Sequence, residues 1–365
     1  MLGVSPAVVG YFVTVVYVGS MIGTVSAGGW VGRFGPIRVS QVGLLLCFIG
    51  LAAASSAYLP LVLAGALVLG LGYGPATPAS SVILARAAPP GMLALTFSIK
   101  QTGVPLGTAI AGAAVPSLVL LLGWQMAAVA IGLACAACAA ALVALRPVYD
   151  ATRDRAAPVS LRTAFAPLGL VVRDRRLLEL SLVSFVYGGM QITLVAYLVT
   201  FLVESFALSL VLAGMVMAAS QIASVAARIA WGLFADRVAT RRATLGLLGV
   251  GMGLTAATAL AAGPHWPLWM LFAFAIAFGA TAVGWNGVFL AEIARLAPTG
   301  GISDATGGSA FFTFLGVVAT PPLFHAVLAM TSSYGMTYAL FGLPALGVGL
   351  RLLATATIAR DDRHS

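Results

Sequence analysis

Charge is scarce in this sequence. Aspartate, glutamate, lysine and arginine make up 8% of its 365 residues, against about 25% in a soluble domain. With 61% of residues hydrophobic, a water-soluble fold has too little polar surface to cover itself, and that class is excluded. Cysteine is nearly absent. Cys135 and Cys138 form a C-x-x-C pair, but inside an apolar run and without the further ligands that zinc or redox chemistry needs, so the pair reads as helix packing. The three histidines, His265, His325 and His364, are scattered. No phosphate-binding glycine loop, H-E-x-x-H or G-x-S-x-G motif occurs, which excludes ATP as the energy source and the common hydrolytic sites. The chain is expected not to be an enzyme, and to carry no cofactor and no metal.

What the sequence has is apolar length. Runs of about 20 residues or more recur, as a bilayer core demands. They are rich in Ala and Leu and lack the period-two alternation of strands. The reading is an all-α polytopic membrane protein. Spans are expected at 6–31, 37–58, 61–86, from 92 onward, 125–145, 177–203, 208–235, 243–262, 267–295, 305–330 and 334–358, eleven in all. The first is no signal peptide, being too long and lacking a basic n-region. The segment 70–78, GLGYGPATP, should weaken its span near the middle. Trp285 with Gly279, Gly284 and Gly287 should make the span at 267–295 bend or pack closely.

The net charge of +9 first suggests nucleic acid, but the distribution argues otherwise. The loops expected to face outward, near 1–5, 57–60, 121–124, 203–208, 261–267 and 330–334, hold no Lys or Arg. Basic residues therefore lie on one side, the positive-inside bias, and no soluble face exists to carry DNA. Residues 146–176 hold seven arginines and prolines at 147, 158 and 167. They read as a central cytoplasmic loop, part of it amphipathic and lying on the anionic inner leaflet. The expected partners are the lipid bilayer, a small-molecule solute and, as an open second ligand, protons; the chain is expected to be a monomer.

The chain also repeats itself. Residues 228–242 read RIAWGLFADRVATRR, and 28–38 read GGWVGRFGPIR, at an offset of 204. Gly28 matches Gly232 and Arg33 matches Arg237; upstream, Ser5 and Gly10 match Ser209 and Gly214. A second echo lies at two span ends, Ala85-Arg86-Ala87-Ala88-Pro89 and Ala294-Arg295-Leu296-Ala297-Pro298. The pattern resembles the Gly-x-x-x-Asp-Arg-x-Gly-Arg-Arg signature of the major facilitator superfamily of transporters. The second copy keeps Gly232, Asp236, Arg237 and the trailing Arg241 and Arg242, whereas the first has Gly32 in place of the aspartate. The resemblance implies two pseudo-symmetric bundles, 1–145 and 177–365, joined by the loop 146–176. It implies twelve helices, of which the first is missing before Met1. It also implies alternating access around a central site, in a bacterial inner membrane.

Ionisable groups inside a membrane are costly and usually face a cavity or a partner. Lys100 lies about eight residues into its span, roughly 12 Å along a helix axis. Arg228 lies a similar distance before Asp236. The two come from opposite halves, and together they would hold an anion, Arg228 offering the fork that suits a carboxylate. Arg228-x-x-x-Gly232-Leu233 resembles the corresponding segment of monocarboxylate-type members, which implies contact with a substrate carboxylate. The competing readings are snorkelling for Lys100 and, for Arg228, a structural part in the lock between the spans at 208–235 and 243–262. Gln101, Gln191, Gln221, Tyr187 and Asn286 lie at similar depth and could bond a solute or join helices; Gln191 and Asn286 are favoured as lining. Gly232, Asp236, Arg237, Arg241 and Arg33, with Glu292 and Arg295, are expected to form a cytoplasmic lock.

The function read from this is secondary active transport of a small organic solute, a carboxylate anion first. A multidrug or metabolite efflux antiporter is the alternative, and a non-transporting sensor or assembly protein the minor one. If the first helix is missing, the 365-residue chain should transport poorly. Sequencing the DNA upstream should then reveal an in-frame apolar segment of about 20 codons; upstream codons without such a segment contradict that expectation.

Overall fold

The computed structural model describes residues 7–56, 58–151, 153–156, 165–263 and 265–361. Ser5, Pro6, Pro158, Asp362, Arg363 and His364, on which the sequence reading also drew, lie outside them. Among the described residues there is no strand, only helix and short connections. Among the same residues, ten helical stretches are long and apolar enough to cross a membrane. One of them, Leu93–Tyr149, has 57 residues. At 1.5 Å per residue it is about 85 Å long, nearly three times a bilayer core. It turns at Gly123, whose φ of 76° and ψ of 159° are not helical and whose positive φ a glycine adopts without Cβ strain. This stretch therefore crosses twice, and ten stretches give the eleven crossings read from the sequence.

Two compact units divide the chain. The first comprises Met1–Ala87, Leu106–Ser181 and Ile293–Leu315. It holds α1 (Ala7–Phe34), α2 (Pro36–Ala54), α3 (Leu59–Tyr73) and α4 (Ala76–Ala87). The second comprises Ala88–Pro105, Leu182–Glu292 and Gly316–Ser365. It opens with α5 (Leu93–Gln101). Next along the chain come α6 (Gly103–Ala141), α7 (Arg146–Tyr149) and α8 (Ala166–Arg173) of the first unit. Then follow α9 (Arg175–Phe206), α10 (Leu210–Arg237), α11 (Arg241–Thr258) and α12 (Leu268–Ala282). The last are α13 (Asn286–Leu296), α14 (Ile302–Thr331) and α15 (Tyr334–Asp361).

The chemistry of the helix ends is visible in the residues. Ser209 accepts a bond from Leu212 N at 3.2 Å and Thr240 one from Ala243 N at 3.1 Å, each capping the helix it precedes. Gly74 and Pro75 separate α3 from α4, where the glycine-rich segment was expected to weaken the span. Val283, Gly284 and Trp285 separate α12 from α13, the bend expected there. Thr102 separates α5 from α6.

Close backbone contact holds the first unit together. A Cβ on Gly65 would lie 2.5 Å from Gly50 O, and one on Gly50 2.6 Å from Gly65 O. Lipid tails are as apolar as leucine, so helices in a bilayer gain from such approach rather than from hydrophobic burial. The second unit adds aromatic packing. Phe201 and Phe278 stand edge-on to buried Tyr338, with centroids 5.6 and 5.7 Å away. Gly65→Ala should therefore lower thermal stability by about 1–3 kcal/mol through overpacking. Gly112→Ala, where a Cβ meets nothing within 4 Å, should leave it level or raise it by up to about 1 kcal/mol. Thermal unfolding of the two variants in detergent checks the pair; equal shifts would contradict the packing argument.

Candidate functional site

The one lysine of the chain, Lys100, sits in the last turn of α5. Its Nζ donates to Gln101 Oε1 at 3.1 Å. An ammonium has three donors, and among the described residues Gln101 is the one partner of Lys100. The backbone of Gln101 meets the second cation: Arg228 Nη1 donates to Gln101 O. Arg228 lies within α10 and is 1% exposed. Its Nε donates to Val283 O at 3.0 Å.

The two carbonyls share a physical origin. Gln101 ends α5, and Val283 follows the last turn of α12. Carbonyls at a helix C-terminus have no intrahelical partner and carry the negative end of the helix dipole. A buried guanidinium answers both needs at two helix ends. The sequence reading left Arg228 between solute contact and a structural part in the lock, and the bonds found here join it to the breaks after α5 and α12.

Val283 O also receives Asn286 Nδ2 at 3.5 Å, and the same nitrogen donates to Gln191 Oε1 at 3.0 Å. All five residues expected to bind solute, Lys100, Gln101, Gln191, Arg228 and Asn286, thus fall in one hydrogen-bonded chain. They come from α5, α9, α10 and the start of α13, all within the second unit. Gln101 is buried at 8% exposure, while Lys100, Gln191 and Asn286 are half-buried. Two other candidates are not in this chain. Tyr187 is fully buried and donates to Leu245 O at 2.8 Å, which spends its hydroxyl on holding α9 to α11. Gln221 Nε2 reaches Met217 Sδ on its own helix at 3.9 Å.

The expected lock residues are placed as follows. Asp236 Oδ1 accepts from Ala94 N at 3.1 Å and from Arg241 Nη2 at 3.1 Å, and Oδ2 accepts from Leu95 N at 2.8 Å. The carboxylate therefore caps the N-terminus of α5, satisfying orphan amides and the positive end of that helix. A Cβ on Gly232 would lie 2.5 Å from Ser98 Oγ, so the glycine lets α10 and α5 touch. Arg237 is exposed at the end of α10. Glu292 is buried and Arg295 exposed near the end of α13, and Arg33 is exposed at the end of α1.

Asp150 was missed. It was read as part of a cytoplasmic loop, yet it is fully buried. Its Oδ1 accepts from Ile37 N at 2.8 Å, its Oδ2 from Arg38 N at 3.3 Å, and Arg38 Nη1 lies 3.3 Å from Oδ2. It caps α2 as Asp236 caps α5. A signal did exist. The α2 start reads Gly35-Pro36-Ile37-Arg38, with no side chain on Gly35 able to cap the amides behind the proline. Gly35 is needed twice, since its φ is +93° and a Cβ there would strike the Asp150 carboxyl. A second overlooked acid is Asp304 in the first turn of α14, whose carboxylate occupies the space a side chain at Gly28 would need.

A sequence profile described as Major Facilitator Superfamily matches residues 1–321. No curated protein sequence matches the chain. Among solved structures, the fold is similar to that of the E. coli fucose:proton symporter FucP, with a TM-score of 0.76 at 17% identity over 96% of this chain and 91% of that one. The proton:xylose symporter XylE gives 0.73 at 16% identity, covering 96% and 87%. The human organic anion transporter MFSD10 gives 0.73 at 18% identity, covering 92% and 83%. These likenesses speak to the fold. With a profile match over residues 1–321 and the repeated helix-end motif, this multi-pass membrane protein belongs to the Major Facilitator Superfamily.

Proposed function

We propose that the chain is a secondary active transporter that carries a small carboxylate anion by alternating access. The observation that carries this reading is Lys100: a half-buried ammonium in a membrane span with one neutral hydrogen-bond partner among the described residues. Burying a charge without a counter-charge is expensive. A solute carboxylate would supply that counter-charge, and Arg228, bonded to the backbone of the neighbouring residue, adds a second positive centre. Gln191 and Asn286 would bond the neutral part of the solute. The human neighbour MFSD10, an organic anion transporter, carries solutes of the same sign. Arg228 in the motif that resembles monocarboxylate-type members supports the same choice.

Movement would be gated at the α5–α10 contact. Gly232, Asp236 and Arg241 hold the start of α5. Arg33, Arg237, Glu292 and Arg295 are assigned to the same lock by their places at helix ends. Releasing the Asp236 cap would free α5 for the other half of the cycle. Protons as the coupling ion, a monomeric state and a bacterial inner membrane complete the proposal.

One observation favours a second reading. Arg228 gives two N–H groups to protein carbonyls, which suits a scaffold clamp and would suit an exporter of lipophilic solutes. The two readings separate in the mutants. Lys100→Gln should cut carboxylate uptake into proteoliposomes at least tenfold, mainly through KM, with little change in thermal stability. Arg228→Ala should abolish uptake and also lower stability by about 2–4 kcal/mol, because two buried carbonyls lose a charged donor. Uptake of every accepted acid retained in Lys100→Gln contradicts the anion site. Export of a lipophilic dye retained in both variants supports the second reading.

A further inference from the structure

Outside the solute network, Arg33 of the proposed lock stands among other arginines. Arg33 and Phe34 close α1, Arg38 lies in the first turn of α2, and Arg153 and Arg155 follow α7; together they line a hollow of about 310 Å³. The segment after α7 is fixed rather than trailing. Asp154 N donates to Gly32 O at 2.9 Å, and Arg153 Nη1 to Asp150 O at 3.4 Å.

Among the described residues that line it, four carry guanidiniums and none a carboxylate, with Asp150 paired to Arg38 and Asp154 next to Arg153 and Arg155 in the chain. Asp150 is buried and already engaged by two amides and Arg38. Asp154 accepts a bond from Ala156 N at 2.9 Å. Desolvation first, then the charges of Arg38 and Arg155, pushes the Arg153 guanidinium below its ordinary range, with Asp150 acting against them. A multiply oxygenated anion would relieve this crowding, and forked guanidiniums match a phosphate better than single-point donors do.

The rim says where that phosphate comes from. The membrane span Gly10–Phe34 ends at the hollow. In its last turns Trp30 and Phe34 are 45% and 38% exposed and stack with centroids 5.4 Å apart. Arg33 Cζ stands 5.7 Å from the Phe34 ring centroid. Exposed aromatic residues at the end of a span mark headgroup level. A soluble phosphate would gain nothing from such a rim, whereas a lipid would rest its glycerol and upper chains against it. The positive-inside bias puts this end in the cytoplasmic leaflet, where anionic lipids concentrate.

We propose that Arg33, Arg38, Arg153 and Arg155 form a binding site for the phosphate headgroup of an anionic phospholipid of the cytoplasmic leaflet. The site is separate from the solute network and does not depend on which solute is carried.

The test uses the purified chain in mixed micelles, titrated with fluorescent phosphatidylglycerol or phosphatidylcholine. Phosphatidylglycerol should bind at least tenfold more tightly. The double variant Arg153→Gln, Arg155→Gln should lose about tenfold or more of that affinity. The charge-matched double variant Arg173→Gln, Arg175→Gln should keep it within about twofold. Should the first double variant not fold, Arg33→Gln gives the same comparison. Equal losses in both double variants would reduce the effect to general surface charge and overturn the proposal, as would equal binding of the two lipids. Millimolar inorganic phosphate should fail to displace phosphatidylglycerol; full displacement would assign the hollow to free phosphate and overturn the lipid reading.

Discussion

The guanidinium of Arg228 is the contact on which the second unit depends. Two interrupted helices, α5 and α12, end in carbonyls that a bilayer offers no water to satisfy. One side chain from α10 binds both, at Gln101 O and Val283 O. Charge-assisted bonds of this kind are worth about 1.5–3 kcal/mol each, and more is lost when a buried acceptor is left bare. Because Gln101 neighbours Lys100 and Val283 also takes Asn286, the same clamp sets the position of every polar group in the network. Scaffold and proposed solute site therefore share one set of atoms.

The helix N-termini are managed by carboxylates in a matching way. Asp236 holds two amides of α5, and Asp150 holds two amides of α2. Each carboxylate also pairs with an arginine, Arg241 or Arg38. At the offset of 204, α2 lines up with α11, whose N-terminus Thr240 caps, so Asp150 supplies for α2 what Thr240 supplies for α11. The contact of Asp304 with Gly28 belongs to the same first unit, on the face that the repeat aligns with the contact of Gly232 and Ser98.

Much of this was legible in the sequence because bilayers impose strong patterns. Span length, the breaks at Gly74-Pro75 and at Val283-Gly284-Trp285, and the turn at Gly123 follow from apolar runs interrupted by glycine and proline. Depth put Lys100, Gln101, Gln191, Arg228 and Asn286 at one level, together with Gln221 and Tyr187, because polar groups inside a membrane collect where they can satisfy one another. The backbone carbonyls that connect the first five were not anticipated, because a carbonyl has no letter of its own. Asp150 was hidden for another reason. Its burial is decided by tertiary contact with α2, while its neighbours Arg146, Arg153 and Arg155 read as a solvated loop. For Tyr187, depth left open whether it bonds a solute or joins helices, and its hydroxyl joins α9 to α11 at Leu245 O.

The central claim is that Lys100 and Arg228 serve one buried anion. An experimental density map of the chain saturated with an accepted monocarboxylate tests it most directly. The account predicts carboxylate density within hydrogen-bond distance of Lys100 Nζ, beside the Arg228 guanidinium. Solute density elsewhere, with Lys100 turned toward lipid or the cytoplasmic surface, would contradict it.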